Sequence, residues 1–417
     1  MQIKTISVHK YHEYLDTVRE KEFLQSDYQG MKFSQRGWEV EYIEAIKDGK
    51  TVAFSMIACM PLMKVFKYCY IPRGSFMDYH SKEDVISFTS SLKEYLKKKN
   101  VIYAEIDPSI EFVQRDKDGN IVEGGYNNFD VVENLKAAGF LHLPMKPGYD
   151  ISKECRWVSV LNLKGKTKEE IFKEFSYQTR QDIRTYEKYC VKTRVLNEDQ
   201  LDILDEMEKE TSERQDFEAM SLDFYKDLYH FYGKSHIETV LSYLDLDAYA
   251  IKMQSEFDKT SKDIEKTKAF LEQNPGNVKK EKRLKTDEEY YNSLQKKLSH
   301  IEELKQEYGK EIPLACCLFV KYGHQIVYLV GSSNYEHRVF RGPYAIQWKM
   351  IQEAIDEGYD LYNFYGISGY FHKDEEGYGV FDYKRGYNAV VHEYIGNFIL
   401  PCKPFIFKIY NNLKHIY

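Results

Sequence analysis

Apolar and polar positions repeat the same order of signals in two stretches of the chain, with a long charged segment between them. In the first stretch Val40–Ile46 reads as a strand, Asp48-Gly49 as a hairpin turn and Val52–Met63 as the returning strand. Arg73-Gly74 follows, then a helical run over Glu83–Lys98 and a strand over Val101–Ile106. In the second stretch Leu314–Val320 and Ile326–Gly331 are strands joined by a turn at Tyr322-Gly323. Arg341-Gly342, a helical run over Tyr344–Glu357 and a strand over Leu361–Tyr365 complete the same series. The segment from about Lys252 to Tyr308 differs: Phe257, Ile264 and Leu271 recur at seven residues. After a turn at Asn274-Pro275-Gly276-Asn277, the residues Tyr291, Leu294, Leu298, Ile301 and Tyr308 occupy a and d positions of one heptad frame. This predicts an antiparallel coiled-coil arm, weakened where Thr260, Thr267 and Asp287 interrupt the apolar seam. Spacer and functional arm are both compatible with the pattern.

Hairpin, loop, helix and strand, used twice, predict an α/β (α+β) protein with two N-acetyltransferase-like domains and the arm inserted in the second. The expected division is 1–155 for the first domain, 156–250 with 311–395 for the second, and 251–310 for the arm. The final segment, 396–417, is expected to pack on the first domain. In this layout the helix after the loop turns its N-terminus toward an acyl donor. A coenzyme A pyrophosphate needs free backbone amides there. The stretch His337–Tyr344 offers one Gly, and Pro343 removes a donor. A donor other than coenzyme A is expected; a coenzyme-A-dependent N-acyltransferase is the alternative.

The net charge of −7 gives no whole-chain footprint for nucleic acid, so an RNA partner would need a local basic patch. Lys279, Lys280, Lys282, Arg283 and Lys285, just after the arm's turn, are the candidate; a solvated helix end is the plain alternative. Seven Cys without a Cys-x-x-Cys pair argue against a disulfide framework or a zinc site, and no metal is expected. Met1–Asp16 lacks the apolar core of a signal peptide, and no run of 18 apolar residues occurs, so a cytoplasmic location is expected. The end, Ile395–Tyr417, is aromatic and basic, with Phe398, Phe405, Phe407, Lys403, Lys408 and Lys414. It reads as a packed terminal segment, with peripheral contact to the inner face of a membrane as the second reading. Thirty-six Tyr against 3 Trp supply many rings with a polar tip, suited to grooves as well as to core packing.

Three stretches carry a family resemblance. Trp157–Leu163, followed by Tyr177–Arg184 and Val191–Arg194, resembles the "SVLDL…TR…IKK…GVK" segment of Fem proteins. Tyr344-Ala345-Ile346-Gln347-Trp348, running to Tyr362-Asn363-Phe364-Tyr365-Gly366-Ile367-Ser368-Gly369, resembles part of the family's C-terminal signature. Gly379–Asn388, ending at Glu393-Tyr394-Ile395-Gly396, resembles the rest. The likeness spans nearly the whole chain, with the arm in the place the family has one. It implies an aminoacyltransferase that extends the peptidoglycan cross-bridge without a cofactor, using aminoacyl-tRNA as co-substrate. The implied acceptor is lipid II or UDP-MurNAc-pentapeptide, and other Fem-type transferases are implied partners.

The resemblance also suggests site residues. Lys32, after Gln25-Ser26-Asp27-Tyr28, and Arg214, in Thr211-Ser212-Glu213-Arg214, are expected to grip the precursor's phosphates. Tyr365 is a further substrate-contact candidate. Tyr383-Lys384 is the catalytic candidate; the family commonly has Phe before this Lys. Aminolysis of an ester places negative charge on the carbonyl oxygen, and Lys384 would supply a fixed cation for it. No covalent intermediate is needed, because the tRNA ester is already activated. Asp107, Glu213 and Asp382 are open candidates for the base. Core packing is the alternative for Tyr365, Phe381 and Tyr387, and a strand-end charge for Lys384. Cys316 and Cys317 are poor nucleophiles, since neighbours on a strand face opposite ways in an apolar run.

Overall fold

The computed structural model describes residues 1–215 and 217–414; the last three residues of the predicted terminal segment lie outside them. Two mixed sheets of eight strands form the body. In the first, β1 (Gln2–Ile6), β2 (Glu39–Lys47), β3 (Lys50–Met63), β4 (Phe66–Ile71), β6 (Val101–Ile106), β16 (Phe398–Pro401) and β8 (Leu141–His142) lie in that order, and β5 (Phe76–Met77) pairs with β3. In the second the order is β10 (Val191–Leu196), β11 (Ile237–Asp245), β12 (Glu311–Tyr322), β13 (Gln325–Ser333), β14 (Leu361–Gly366), β9 (Trp157–Asn162), β15 (Val390–Tyr394) and β7 (Glu111–Gln114). The first sheet thus takes β16 from the end of the chain, and the second takes β7 from within residues 1–155.

The β2–β3 hairpin turns where the sequence marks it. Asp48 and Gly49 both have positive φ (51° and 77°), which closes Lys47 onto Lys50. The strand β4 was not expected, because the turn before it, at Lys64-Val65, contains none of the usual turn residues. Its presence shifts the internal repeat by one strand. β4 pairs in parallel with β6, as β13 does with β14, so the hairpin equivalent to β12–β13 is β3–β4 rather than β2–β3. After each of β4 and β13 an Arg-Gly step turns the chain with the Arg in the left-handed region, φ 56° at Arg73 and 61° at Arg341. The helices that follow, α3 (Lys82–Lys98) and α11 (Gly342–Asp356), return over the sheets. α3 buries Val85, Phe88, Leu92 and Leu96, one stripe at helical spacing, against the first sheet.

The opposite face of the first sheet is covered by α1 (Val8–Thr17) and α2 (Asp27–Gln35). α2 begins at Ser26, whose hydroxyl accepts the Gln29 N–H at 3.1 Å. It lies against α8 (Leu222–Tyr232), which packs on the second sheet together with α7 (Asp202–Gln215). The Tyr232 hydroxyl donates to the Phe23 carbonyl at 3.0 Å and to Gln29 Oε1 at 3.1 Å. Phe23 and Leu24 are buried in the second sheet's core, each contributing about 1.5–3 kcal/mol of apolar burial. α2 is therefore fixed from both sheets, and it carries Lys32. The other face of the second sheet is packed by α5 (Lys168–Glu174), α6 (Tyr177–Lys188) and α11.

The charged insert folds as two long helices, α9 (Leu246–Gln273) and α10 (Val278–Tyr308), running in opposite directions. Phe257 stacks on Tyr291 (centroids 4.3 Å apart), and Ile264, Leu294 and Ile301 are buried. The polar interruptions are satisfied locally: Thr260 and Thr267 each donate to the carbonyl four residues back at 2.8 Å, and Asp287 pairs with Arg283. The first helix starts earlier than the compositional boundary, because Asp245 caps the Ala248 N–H and Leu246, Tyr249 and Met253 are buried at its base. Cys59 and Cys69 face each other across β3 and β4 and are joined as a disulfide, a pair that only the strand register reveals. Cys155, Cys190, Cys316, Cys317 and Cys402 are free thiols.

Candidate active site

A short helix, α12 (Tyr378–Arg385), follows a loop whose Gly377 has φ 74°. Its last turn drops Lys384 into the seam between the sheets. Lys384 is therefore on a helix and not at a strand end, and it is buried, with 6% exposure. Its ammonium donates to the carbonyls of Gly366 (2.6 Å) and Tyr365 (3.3 Å). These carbonyls are available because β14 breaks its ladder: Tyr365 has φ 62°, and the pairing with β9 slips between Asn363 and Gly366. Gly366 lets Cys155 approach closely, since a Cβ here would meet Cys155 Sγ at 2.5 Å. Among the described residues no carboxylate pairs with Lys384. Burial accordingly pushes its pKa down to about 7, opposed only weakly by the Cys155 thiol.

Around this cation lies a connected polar group in which the candidates Tyr365 and Asp107 are joined by Glu154 and Arg73, residues that the sequence did not single out as site residues. The Tyr365 hydroxyl donates to Glu154 at 2.6 Å. Arg73, buried, donates through Nη2 to the Cys155 carbonyl at 3.3 Å, lies 4.0 Å from Glu154 and sits 5.0 Å over the Tyr394 ring. Asp107 accepts from the Arg73 N–H at 2.8 Å and from the Tyr70 hydroxyl at 3.0 Å, all through Oδ1. Its Oδ2 is 3.5 Å from Arg73 Nη1, an ion-pair distance without hydrogen-bond geometry, and has no hydrogen-bond partner. Burial raises the Asp107 pKa to about 7, aided by Glu154 and opposed by Arg73. For Arg73 the sequence signal was the Arg73-Gly74 turn; its left-handed backbone points the N–H, and not only the side chain, at Asp107.

Lys32 approaches the same group from α2. It is 4% exposed, its ammonium lies 4.0 Å over the Phe224 ring, and among the described residues it has no ion-pair partner. Burial and then Arg36 lower its pKa to about 8, against the attraction of Asp227 and Glu154. Two buried lysines with no carboxylate partner among the described residues thus lie close to this group, Lys384 on the Tyr365 carbonyl and Lys32 within the attraction of Glu154. An uncompensated buried ammonium is costly, so both positions favour an anionic or electron-rich ligand.

The remaining candidates are placed differently. Arg214, in the last turn of α7, is exposed and stacks 4.9 Å over Tyr335, with Arg338 on the same ring at 4.1 Å. Among the described residues no hydrogen bond or ring contact joins it to Lys32 or Lys384. Tyr383 packs on Tyr344 and Tyr387 (5.2 and 5.5 Å), turned toward the core beneath α11. Phe381 and Tyr387 are core residues, whereas Tyr365 keeps its hydroxyl on Glu154. Asp382 pairs with Arg385, and Glu213 is exposed. Cys316 and Cys317 enter opposite cores, and burial raises both thiols. At the arm's turn Arg283 is paired with Asp287 and Asp263 and Lys280 lies over Phe270, while Lys279, Lys282 and Lys285 are exposed. The start of α11 is closed: Pro343 lies in its first turn, and a Cβ on Gly342 would meet Leu314 Cβ at 2.4 Å.

Comparison with known proteins agrees with this architecture. The model of the FemAB family matches residues 6–415. The chain is 34% identical to an aminoacyltransferase FemA of Staphylococcus epidermidis over 369 residues, 88% of each chain. It is 32% identical to one of Staphylococcus aureus, covering 100% of this chain and 99% of that one. A crystal structure of FemX, 23% identical, superposes with a TM-score of 0.79 over 98% of this chain and 99% of that one, which shows a shared fold. The chain therefore belongs to the FemAB family, and it is an aminoacyltransferase.

Proposed function

We propose that this enzyme transfers an amino acid from an aminoacyl-tRNA to the side-chain amine of the stem-peptide residue in a peptidoglycan precursor, building the interpeptide bridge. The observation that carries the reading is a pair of buried lysines, Lys384 and Lys32, that have no carboxylate partner among the described residues. One suits an oxyanion, the other a phosphate. The acceptor's neutral amine attacks the ester carbonyl of the aminoacyl group. The C–O π pair moves to oxygen, and protonated Lys384 donates to that oxyanion. Collapse re-forms the carbonyl and breaks the bond to the ribose oxygen, which takes up the proton released by the amine and leaves as the hydroxyl. No cofactor and no metal enters this sequence, and Lys32 and Arg214 hold the diphosphate of the acceptor.

The closed start of α11 argues against coenzyme A as donor, because a pyrophosphate cradle requires open backbone amides there. The decisive experiment offers the enzyme a mixed aminoacyl-tRNA pool with lipid II or UDP-MurNAc-pentapeptide and weighs the products by mass spectrometry. A mass gain of one aminoacyl residue on the stem peptide is expected. No gain with either acceptor, together with saturable coenzyme A binding, would favour the N-acyltransferase reading.

A further inference from the structure

The C-terminal helix α13 (Pro404–Lys414) has two apolar faces, and the fold uses one. Its inner face packs on the first sheet: Phe407 and Tyr410 approach Tyr103 at 5.5 and 6.2 Å. On the outer face Phe405, Ile409 and Leu413, four residues apart, form a stripe that is 77%, 51% and 72% exposed. The β3–β4 turn lies against the same helix. Its flanking Leu62 and Phe66 belong to the same cluster as Ile406 and Phe407, and its tip bears Val65, 64% exposed.

Lysines border the patch. Lys408 and Lys414 are exposed on the helix, Lys403 lies 6.0 Å from the Phe66 ring, and Lys64 shares the turn with Val65. No Asp or Glu occurs after Glu393 or between Met60 and Tyr70, on a chain whose net charge is −7. We infer that this face docks the enzyme on an anionic lipid bilayer, with Phe405, Ile409, Leu413 and Val65 entering the interface and the lysines meeting the headgroups. Charge selects this occupant: a second copy on a twofold axis would set the same lysines against one another, whereas an anionic surface is complementary to them.

The sheet connects this surface to the active site. Tyr103, Glu105 and Asp107 lie on one face of the strand, bonded or stacked to Tyr68 and Tyr70 beside them. Four residues of strand, about 13 Å, separate the ring that α13 covers from the carboxylate beside Arg73. An extended pentapeptide, about 17 Å, crosses that span. That the docked enzyme thereby reaches a lipid-linked acceptor rests on the function proposed above.

The test is co-sedimentation of the full chain with vesicles of phosphatidylcholine alone or mixed with phosphatidylglycerol. Wild type is expected in the pellet with the anionic vesicles only, and salt should release it. The combined variant Phe405→Ser, Ile409→Ser, Leu413→Ser should lose at least tenfold in partitioning. Each Lys→Gln at positions 403, 408 and 414 should cost roughly fivefold. Melting temperature and turnover on UDP-MurNAc-pentapeptide should be unchanged in these variants, while turnover on vesicle-borne lipid II falls. Wild type that stays in the supernatant at low salt overturns the inference, as does equal binding by the triple variant. A wild-type dimer that the triple variant converts to monomer, with vesicle binding intact, assigns the face to a second copy and also overturns it. Vesicle binding without transfer to any acceptor would instead remove the proposed function and leave the docking surface standing.

Discussion

Replacing Lys384 by Met removes a charge from the seam and leaves a flexible apolar chain in its place. The wild-type ammonium is buried, and among the described residues its hydrogen-bond partners are two neutral carbonyls. Its pKa falls from 10.5 to about 7 on folding. That difference corresponds to about 5 kcal/mol of disfavoured charge. The variant escapes this penalty but leaves the Tyr365 and Gly366 carbonyls without a donor, at about 1–3 kcal/mol each. At pH 6 the variant should therefore be as stable as wild type or up to about 3 kcal/mol more stable. The sign reverses at alkaline pH. Between the folded pKa near 7 and the unfolded value near 10.5 only the unfolded chain holds the proton, so wild-type stability rises with pH across that window. The Met variant lacks this rise. Urea unfolding at pH 6 and pH 9.5 measures both slopes, and parallel curves for the two proteins would refute the burial argument. Turnover at saturating substrates should meanwhile fall about 10²–10³-fold, the usual loss for one oxyanion donor. In wild type, kcat should decline above pH 7 as Lys384 deprotonates, whereas Lys384→Arg, which stays charged, should lack that decline. Wild-type turnover in the Met variant would exclude the oxyanion role.

Lys32→Ala and Arg214→Ala should each weaken precursor binding by about 1.5–3 kcal/mol, through lost charge-assisted contacts. Calorimetry with the intact precursor and with a phosphate-free stem peptide separates this from structural damage, which would weaken both. Changing Lys279, Lys280, Lys282, Arg283 and Lys285 to Gln should raise KM for aminoacyl-tRNA and flatten its salt dependence without altering precursor affinity. An unchanged KM across a salt series would leave the arm as a spacer or a protein contact. Asp107 titrates near 7 when folded, well above its unfolded value of 3.8. The folded chain therefore holds the extra proton between these values, and wild-type stability should fall by about 4 kcal/mol from pH 4 to pH 7. Asp107→Asn should lose that component; an unaltered pH–stability slope in urea titrations would refute it.

Much of the secondary structure was legible in the sequence, because its causes are local. Asp48-Gly49 accepts the positive φ of a tight turn, helical spacing writes the buried stripe of α3, and Asn274–Asn277 ends one arm helix and caps the next. Where local signals were absent the reading slipped. Lys64-Val65 gave no turn signal, so β4 was missed and the repeat was aligned one strand early. The arm's base was placed too late, because composition marks solvent exposure while Leu246, Tyr249 and Met253 answer to packing at its root.

Lys32 and Lys384 were also named from sequence, through motif resemblance, but their chemistry was not. Only the tertiary structure removes water from both ammonium groups and leaves them without carboxylate partners among the described residues, and desolvation depends on residues far away along the chain. Arg73, Asp107, Glu154 and Tyr365 converge because the Arg-Gly turn after β4, the approach to β9 and the break in β14 meet at one seam. No spacing along the chain encodes that meeting. The sequence by itself determined which segments could form strands, helices and turns, since those choices depend on neighbours within a few residues. The tertiary structure decided which sheet each strand joined, which face of α13 packs on the first sheet and which cations lost their solvent, since those depend on contacts between segments far apart along the chain.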